Sequence, residues 1–516
     1  MARRAGTVSW PGVAVAAALC LLTLGTLGAV LARAGGASLT LADWSAVRFT
    51  VLQAAVSALL SVGLAVPVAR ALARRRFAGR GLLIALMGAP FLLPVIVAVL
   101  GLLAVFGRQG MLNDALQALG LPVVSVYGFH GVVLAHVFFN LPLAVRMILS
   151  GWQDIPAERF RLAAALGLGP GAVFRHLEWP MLRAVLPGAM VAVFLICLTS
   201  FAVALTLGGG PRATTVELAI YQALRFEFNL GRAALLAALQ FALCAVAVLA
   251  AGWLVLPGAF GGGMDRPVQR WNADGPLARL MDAGVIAAAA VFLLLPPGMV
   301  VARGLPGLSD LPAGLWAAAA RSVLVAVLST ALCLVAALAL GVAIVRGRWS
   351  RTLEAAGMLP LAASSLVLGT GLLLILHPVI TPQRLALPVT ALVNAALALP
   401  FALRLLLPAL RDIETAHGRL ADALGLTGLA RLRWLVVPRL RPVLGFAAGV
   451  VAALSMGDLG VIALFADQGA ATLPLLVQRL MGAYRMEAAA AAALVLVALS
   501  FGIFWCLDRW GRHAAS

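Results

Sequence analysis

Few side chains in this sequence could do chemistry, and one acid stands apart. Asp458, in the stretch SMGDLGVIALF (Ser455–Phe465), lies inside a run that carries no other charge. An ionisable side chain within an apolar span is costly and is a functional candidate by default. Here it would be a carboxylate able to attract a cation. The same residue also suits a cap at a helix break between Gly457 and Gly460, or a pairing with a neighbouring span. A second set follows the predicted fifth span: Glu217, Tyr221, Phe226 and Glu227. Acids beside aromatics suit cation–π attraction. They equally suit a re-entrant helix packed at the mouth of a path, or a surface on which another protein docks, and we favour docking.

Other chemistries are excluded by residue type. All 38 basic residues are Arg. A phosphate-binding P-loop needs its Lys, and a Schiff base needs a Lys amine, so neither is expected. His130 and His136 are six apart, whereas metal ligands on one helix face stand three or four apart; they read as packing or mouth residues. His377, before Pro378, reads as structural. Cys20, Cys197, Cys244, Cys333 and Cys506 sit in apolar runs without a C-x-x-C pair and read as small buried apolar residues. No catalytic residue, metal or cofactor is therefore expected on this chain.

The elements that must position these residues are membrane helices. The chain of 516 residues is 63% hydrophobic and 11% charged, with mean hydropathy +1.05, whereas soluble domains are roughly half apolar and a quarter charged. The formal charge of +19 is scattered between apolar runs, not gathered in a stripe, which argues against nucleic acid. Spans of about 20 apolar residues are predicted at 11–31, 47–70, 81–105, 129–150, 184–206 and 233–257, then at 281–301, 317–345, 355–376, 386–408, 443–465 and 488–508. The fold class is all-α and polytopic, with about twelve transmembrane helices. Met1–Leu31 has Arg3 and Arg4 before its apolar run and Ala32-Arg33-Ala34 after it. The run exceeds the roughly 7–15 residues of a signal core, so an uncleaved first span is expected. The segments on one side of the spans hold 27 of the 38 Arg. The excess of Arg marks that side as cytoplasmic, with both termini.

The chain also repeats itself. RLAAALGLGPGAVFRHLEWP (Arg161–Pro180) and RLADALGLTGLARLRWLVVP (Arg419–Pro438) agree at 11 of 20 positions, without a gap, at an offset of 258. Upstream, NLPLAVRMIL (Asn140–Leu149) matches ALPFALRLLL (Ala398–Leu407). Two six-span halves in parallel orientation follow, 1–257 and 281–516, joined by a Gly-, Pro- and charge-rich cytoplasmic linker at 258–280. Parallel repeats imply a pseudo-twofold axis along the membrane normal, with a path between the halves. Each repeated loop, 151–183 and 409–441, suits a short amphipathic helix, Ala157–Leu168 and Thr415–Leu426, closed by Gly167 or Gly425.

At these residues the chain resembles a family. A small-residue run, Gly, then Pro thirteen residues on, is similar to the cytoplasmic loop of ABC-importer permeases, E-A-A-x3-G-x9-I-x-L-P. Ala163, Gly167, Leu177 and Pro180 fit it, and Ala421, Gly425, Leu435 and Pro438 fit it again. Arg161 and Arg419 stand where the family has its acid, and Leu162 and Leu420 where it has the first Ala. The resemblance implies the type I ABC-importer transmembrane fold in the inner membrane. It also implies two copies of a separate ATP-binding subunit docked on the loops, carrying the ATP and Mg, and a periplasmic binding protein that delivers substrate. FGRQGMLN (Phe106–Asn113), YGFHGVVLAHVFFNLPLAVR (Tyr127–Arg146), LGGGPRATTVELAIYQALRFEFNLGRAA (Leu207–Ala234) and SMGDLGVIALF resemble fused permeases for thiamine. That implies import of thiamine and its phosphates, with Asp458, Tyr221 and Glu217 as candidates along the substrate path. The rival within the class is ferric iron or another small solute. An ion-gradient transporter would call for paired intramembrane carboxylates, and a membrane scaffold leaves the repeated loops unexplained.

Overall fold

A computed structural model describes residues 10–87, 93–208, 210, 213–254, 275–347, 349–466 and 469–513. The first half contains α1 (Trp10–Ala34), α2 (Leu41–Arg74), α3 (Arg80–Leu86), α4 (Val95–Phe106), α5 (Met111–Ala118), α6 (Phe129–Gln153), α7 (Ala157–Ala165), α8 (Pro170–Val173), α9 (Trp179–Leu198), α10 (Phe201–Leu207), α11 (Val216–Arg225) and α12 (Leu230–Leu254). The second contains α13 (Pro276–Gly304), α14 (Leu315–Arg346), α15 (Ser350–Met358), α16 (Ser365–Leu376), α17 (Ala386–Ala423), α18 (Gly428–Arg431), α19 (Val437–Met456), α20 (Gly460–Phe465), α21 (Leu473–Gly482) and α22 (Met486–His513). No strand occurs among the described residues. Among the described residues eleven helices are long and apolar enough to cross a membrane, or twelve if the pair bent by 91°, Ser350–Ala362 with Ser365–Leu376, is one span. The chain is an all-α, multi-pass membrane protein.

Several predicted spans are broken. The stretches 184–206 and 443–465 are each two helices, separated at Thr199–Ser200 and at Gly457–Leu459. The span at 355–376 bends between α15 and α16, and 81–105 divides into α3 and α4 around residues that lie outside the described set. Apolar run length cannot reveal such breaks, because both sides of each are equally apolar. The linker predicted at 258–280 falls largely outside the described residues, but its end is already helical from Pro276. Of the five cysteines, Cys197, Cys244 and Cys333 are buried, while Cys20 is half-buried and Cys506 exposed. The last two lie on α1 and α22, whose outer faces have no protein neighbour to cover them.

The first helix of each half packs into the other half. α1 lies against α14 and α16, and α13 against α2 and α4. Both crossings use a glycine to bring backbones together, a device suited to helices in lipid. A Cβ on Gly101 of α4 would sit 2.5 Å from the Pro296 carbonyl oxygen of α13, and one on Gly371 of α16 would sit 2.7 Å from the Thr26 carbonyl oxygen of α1. Thr26 and Pro296 correspond in the repeat, as do Gly101 and Gly371. The exchange makes the halves one body with a shared seam.

Candidate functional site

Each repeated loop closes its first helix in the same way. Gly167 and Gly425 take φ of 65° and 66°, a left-handed conformation that costs an L side chain roughly 1–2 kcal/mol. The N–H of Gly167 donates to Ala164 and that of Leu168 to Ala163 (3.0 and 2.9 Å). The N–H of Gly425 donates to Asp422 and that of Leu426 to Ala421 (3.1 and 2.9 Å). Ala163 and Ala421 are buried beneath these turns. The chain then widens into a π turn at 174–178 and again at 432–436. Pro180 and Pro438, the second residues of α9 and α19, explain the widening. A proline cannot donate, and its ring clashes with the carbonyl four residues back, which in both copies lies within the π turn. Leu177 is half-buried and Leu435 buried.

The outward face of each loop helix is the same. Arg161 and Arg419 are exposed. So are Leu162 and Leu166 (61% and 65%) and Leu420 and Leu424 (60% and 66%). Two exposed leucines one turn apart, beside an Arg and duplicated by the repeat, form a surface suited to a protein partner. The predicted separate helix Ala157–Leu168 exists, as α7. Thr415–Leu426 is not separate: it is the last part of the 38-residue helix α17. The first copy has Pro156 at the junction, which ends the helix, and the second has Glu414.

The fastenings beneath the loops differ, and their motif residues did not reveal them. In the first loop Glu178, 1% exposed, accepts from Arg70 Nε at 2.8 Å, with Arg74 at 3.8 Å; Asp282 of α13 holds Arg75 at 2.7 Å. Arg70 also lies over the Phe174 ring. In the second loop Arg431, 3% exposed, donates to Asp422 at 2.6 Å and Glu414 at 2.8 Å, and to the Gly418 carbonyl at 3.3 Å. Arg346 stands 3.6 Å from Glu414.

Deeper in each half, three spans meet at a buried polar group. Ser57 Oγ lies 3.4 Å from His136 Nδ1, and Asn140 reaches Cys197 Sγ at 3.4 Å. In the second half Ser455 Oγ donates to Ser329 Oγ at 2.9 Å, and Asn394 to Ser455 Oγ at 3.1 Å. Hydrogen bonds of this kind join helices in lipid, and these groups stand just before the breaks of the fifth spans. His136 is thus a packing residue, and His130 contacts the Ser125 carbonyl.

The structure moves Glu217 and Tyr221. Docking is the favoured sequence reading of both, with a re-entrant helix as its rival. Instead α11 turns back into the bundle and packs on α12, α2, α16 and α20. The Thr215 side chain caps it, and the Val216 N–H donates to Thr50 at 2.9 Å. Glu217 is completely buried. Tyr221, one turn on, stacks on Phe201 at 5.3 Å and meets Phe226 edge-on at 5.8 Å. Phe226 and Glu227 stay exposed, with Glu227 paired to Arg232 at 2.6 Å. The amphipathic pattern of α11 hid the burial, since its polar residue faces the seam instead of solvent. Asp458 occupies the break before α20, accepting from the Gly460 N–H at 3.3 Å, while its Oδ2 is shut off from solvent without a partner. A cleft lined by Arg33, Ser38, Asn229 and Arg232 lies away from both acids, at the ends of α1 and α12.

No protein-family model matches the chain. Curated relatives do. The thiamine transport system permease protein ThiP of Brucella abortus is 40% identical over 98% of this chain and 97% of its own length. ThiP of Escherichia coli K12 is 41% identical over 90% and 89%. The molybdenum transport system permease protein ModB of Mycobacterium bovis is 31% identical over 40% of this chain and 78% of its own length. Identity at this level along nearly the whole length, with both loops and both broken spans inside the match, places the chain in the family of thiamine transport system permease proteins.

Proposed function

We propose that this chain is the membrane subunit of an ATP-driven importer carrying thiamine and thiamine phosphates from the periplasm to the cytoplasm. The observation that carries the reading is the near full-length identity to thiamine permeases, joined to a duplicated Arg–Leu–Leu surface for a partner. The Arg-rich side, which includes both loops, faces the cytoplasm, and both termini lie there, in the inner membrane. One ATP-binding subunit docks on Arg161, Leu162 and Leu166, and a second copy on Arg419, Leu420 and Leu424. A periplasmic binding protein presents substrate to the opposite face. This chain breaks no bond itself: the nucleotide and its Mg belong to the partner. When the two ATPases close, the loops approach, each half follows its loop, and the seam between halves opens outward.

The test is uptake of labelled thiamine in cells lacking their own transporter, expressing this chain with its ATPase and binding protein. Gly167→Asp with Gly425→Asp is the informative variant. Asp tolerates the left-handed backbone better than most residues, and nothing crowds a Cβ at either site. The fold should therefore survive while a carboxylate enters each docking surface. Wild-type uptake with loss in the double variant is expected. An assembled complex that takes up no thiamine would sink the substrate assignment and make ferric iron the next solute to try.

A further inference from the structure

Two acids approach the seam between the halves from opposite sides. Glu217, on α11 of the first half, has Ser364 and Gln240 beside its carboxyl. Ser364 is the N-cap of α16, in the second half. The next residue, Ser365, lies against Gly460, so closely that a Cβ there would run into its hydroxyl. Gly460 is also the residue whose N–H donates to Asp458. Glu217 and Asp458 thus reach the same helix start from two sides.

Their bonding is incomplete. Both Glu217 oxygens, Gln240 Oε1 and Asp458 Oδ2 are buried and make no close hydrogen bond, although Ser364 and Gln240 stand beside the Glu217 carboxyl. Asp458 as a whole is half-buried, and the buried acids other than Glu217 among the described residues are matched: Asp43 with Arg232, Glu178 with Arg70, and Asp508 with Arg512. Glu217 and Asp458 have no ion pair among the described residues. An unmatched buried acceptor costs stability, and two of them facing one seam call for a cation or a donor that arrives from elsewhere.

The repeat sharpens the point. Pro474 is the second residue of α21, as Glu217 is of α11. Pro94 is the N-cap of α4, as Ser364 is of α16. Leu496 takes the place of Gln240, and Ser200 that of Asp458. The equivalent seam on the other side of the axis is therefore nearly apolar. The polar set is not part of the scaffold that the repeat requires; it belongs to one side only.

We propose that Glu217, Gln240, Ser364 and Asp458 form a one-sided passage for an organic cation, whose ring charge the two carboxylates face as the halves part. Tyr221 and Phe201 supply the aromatic wall beside it. The inference rests on the thiamine reading, since the thiazolium ring carries a fixed positive charge. It makes Glu217 a residue that selects charge, not a residue that holds the fold.

Glu217→Gln separates those roles. A glutamine amide can donate to the unpaired Gln240 oxygen, so the closed seam should be at least as stable as in the wild type. In proteoliposomes holding the whole complex, thiamine uptake should fall about tenfold or more. ATPase copurification and basal hydrolysis should be unchanged, and the melting temperature unchanged or higher. Glu217→Asp should restore part of the uptake. Wild-type uptake in the Glu217→Gln complex would overturn the passage, as would lost uptake accompanied by a lower melting temperature or lost assembly, which marks a structural role. A wild-type complex that hydrolyses ATP with loaded binding protein yet takes up no thiamine would instead overturn the substrate reading beneath it.

Discussion

The two loops share one backbone and are held by different charges. Both close a helix at a left-handed Gly and both widen into a π turn before a proline. Beneath the first, the acid sits on the π turn, at Glu178, and the core position three residues beyond Pro170 is Val173. Beneath the second, the acids sit on the preceding helix, at Glu414 and Asp422, and the position equivalent to Val173 is Arg431. In both cases an Arg at the end of the half's second span, Arg74 or Arg346, lies within reach of the acid. Turn geometry admits few residues, so it recurs. A buried charge needs only some partner at a suitable distance, and that partner can move to a different element. The consequence is mechanical. The second loop is continuous with its span and ionically locked to it, whereas the first is jointed at Pro156. A partner pushing on both would move one as a lever and the other through a hinge.

The largest effect expected from breaking this comparison is at Arg431. Arg431→Met leaves Glu414 and Asp422, 26% and 30% exposed, facing an apolar chain with Arg346 still 3.6 and 3.9 Å away, and the loss should be about 2–3 kcal/mol. Thermal unfolding of the purified complex should show it. Adding Asp422→Ala and Glu414→Gln, which removes the stranded charges, should recover much of the loss; no recovery would mean the network is not what locks the loop. Glu178→Gln should cost less, about 1–2 kcal/mol, because the glutamine oxygen can still accept from Arg70 and Arg74 keeps Asp282 nearby. The smallest effect on stability is expected from Pro156→Glu, which gives the first loop the residue of the second. It should change stability by less than about 1 kcal/mol while slowing amide exchange across residues 153–158. Unchanged exchange there would show that the joint has another cause.

Much of the molecule was legible in its residues. The apolar runs located most of the spans, and the spacing from Gly to Pro marked where a helix closes at a left-handed Gly and a π turn precedes a proline, because each of these is a local requirement on residue type. The exchange of α1 and α13 between halves was not legible, although Gly101 and Gly371 carry it, since a glycine in an apolar helix says only that something approaches closely. Breaks in the fifth spans were foreshadowed at Gly457 and Gly460 but not at Thr199. Glu217 is the hardest to read: its segment suits a docking surface as well as a re-entrant helix, and only the turn of α11 back into the bundle buries it.

By itself the sequence determined class and periodicity: a polytopic helical chain with a gapless internal repeat and two glycine-closed loops. These follow from the cost of exposing backbone or charge to lipid, which every residue meets locally. Only the tertiary structure decided that one seam is polar and its equivalent apolar, and that one loop is locked while the other is jointed. Both depend on which side chains from distant spans face each other, because a buried charge is stabilised by whichever partner the packing brings near it.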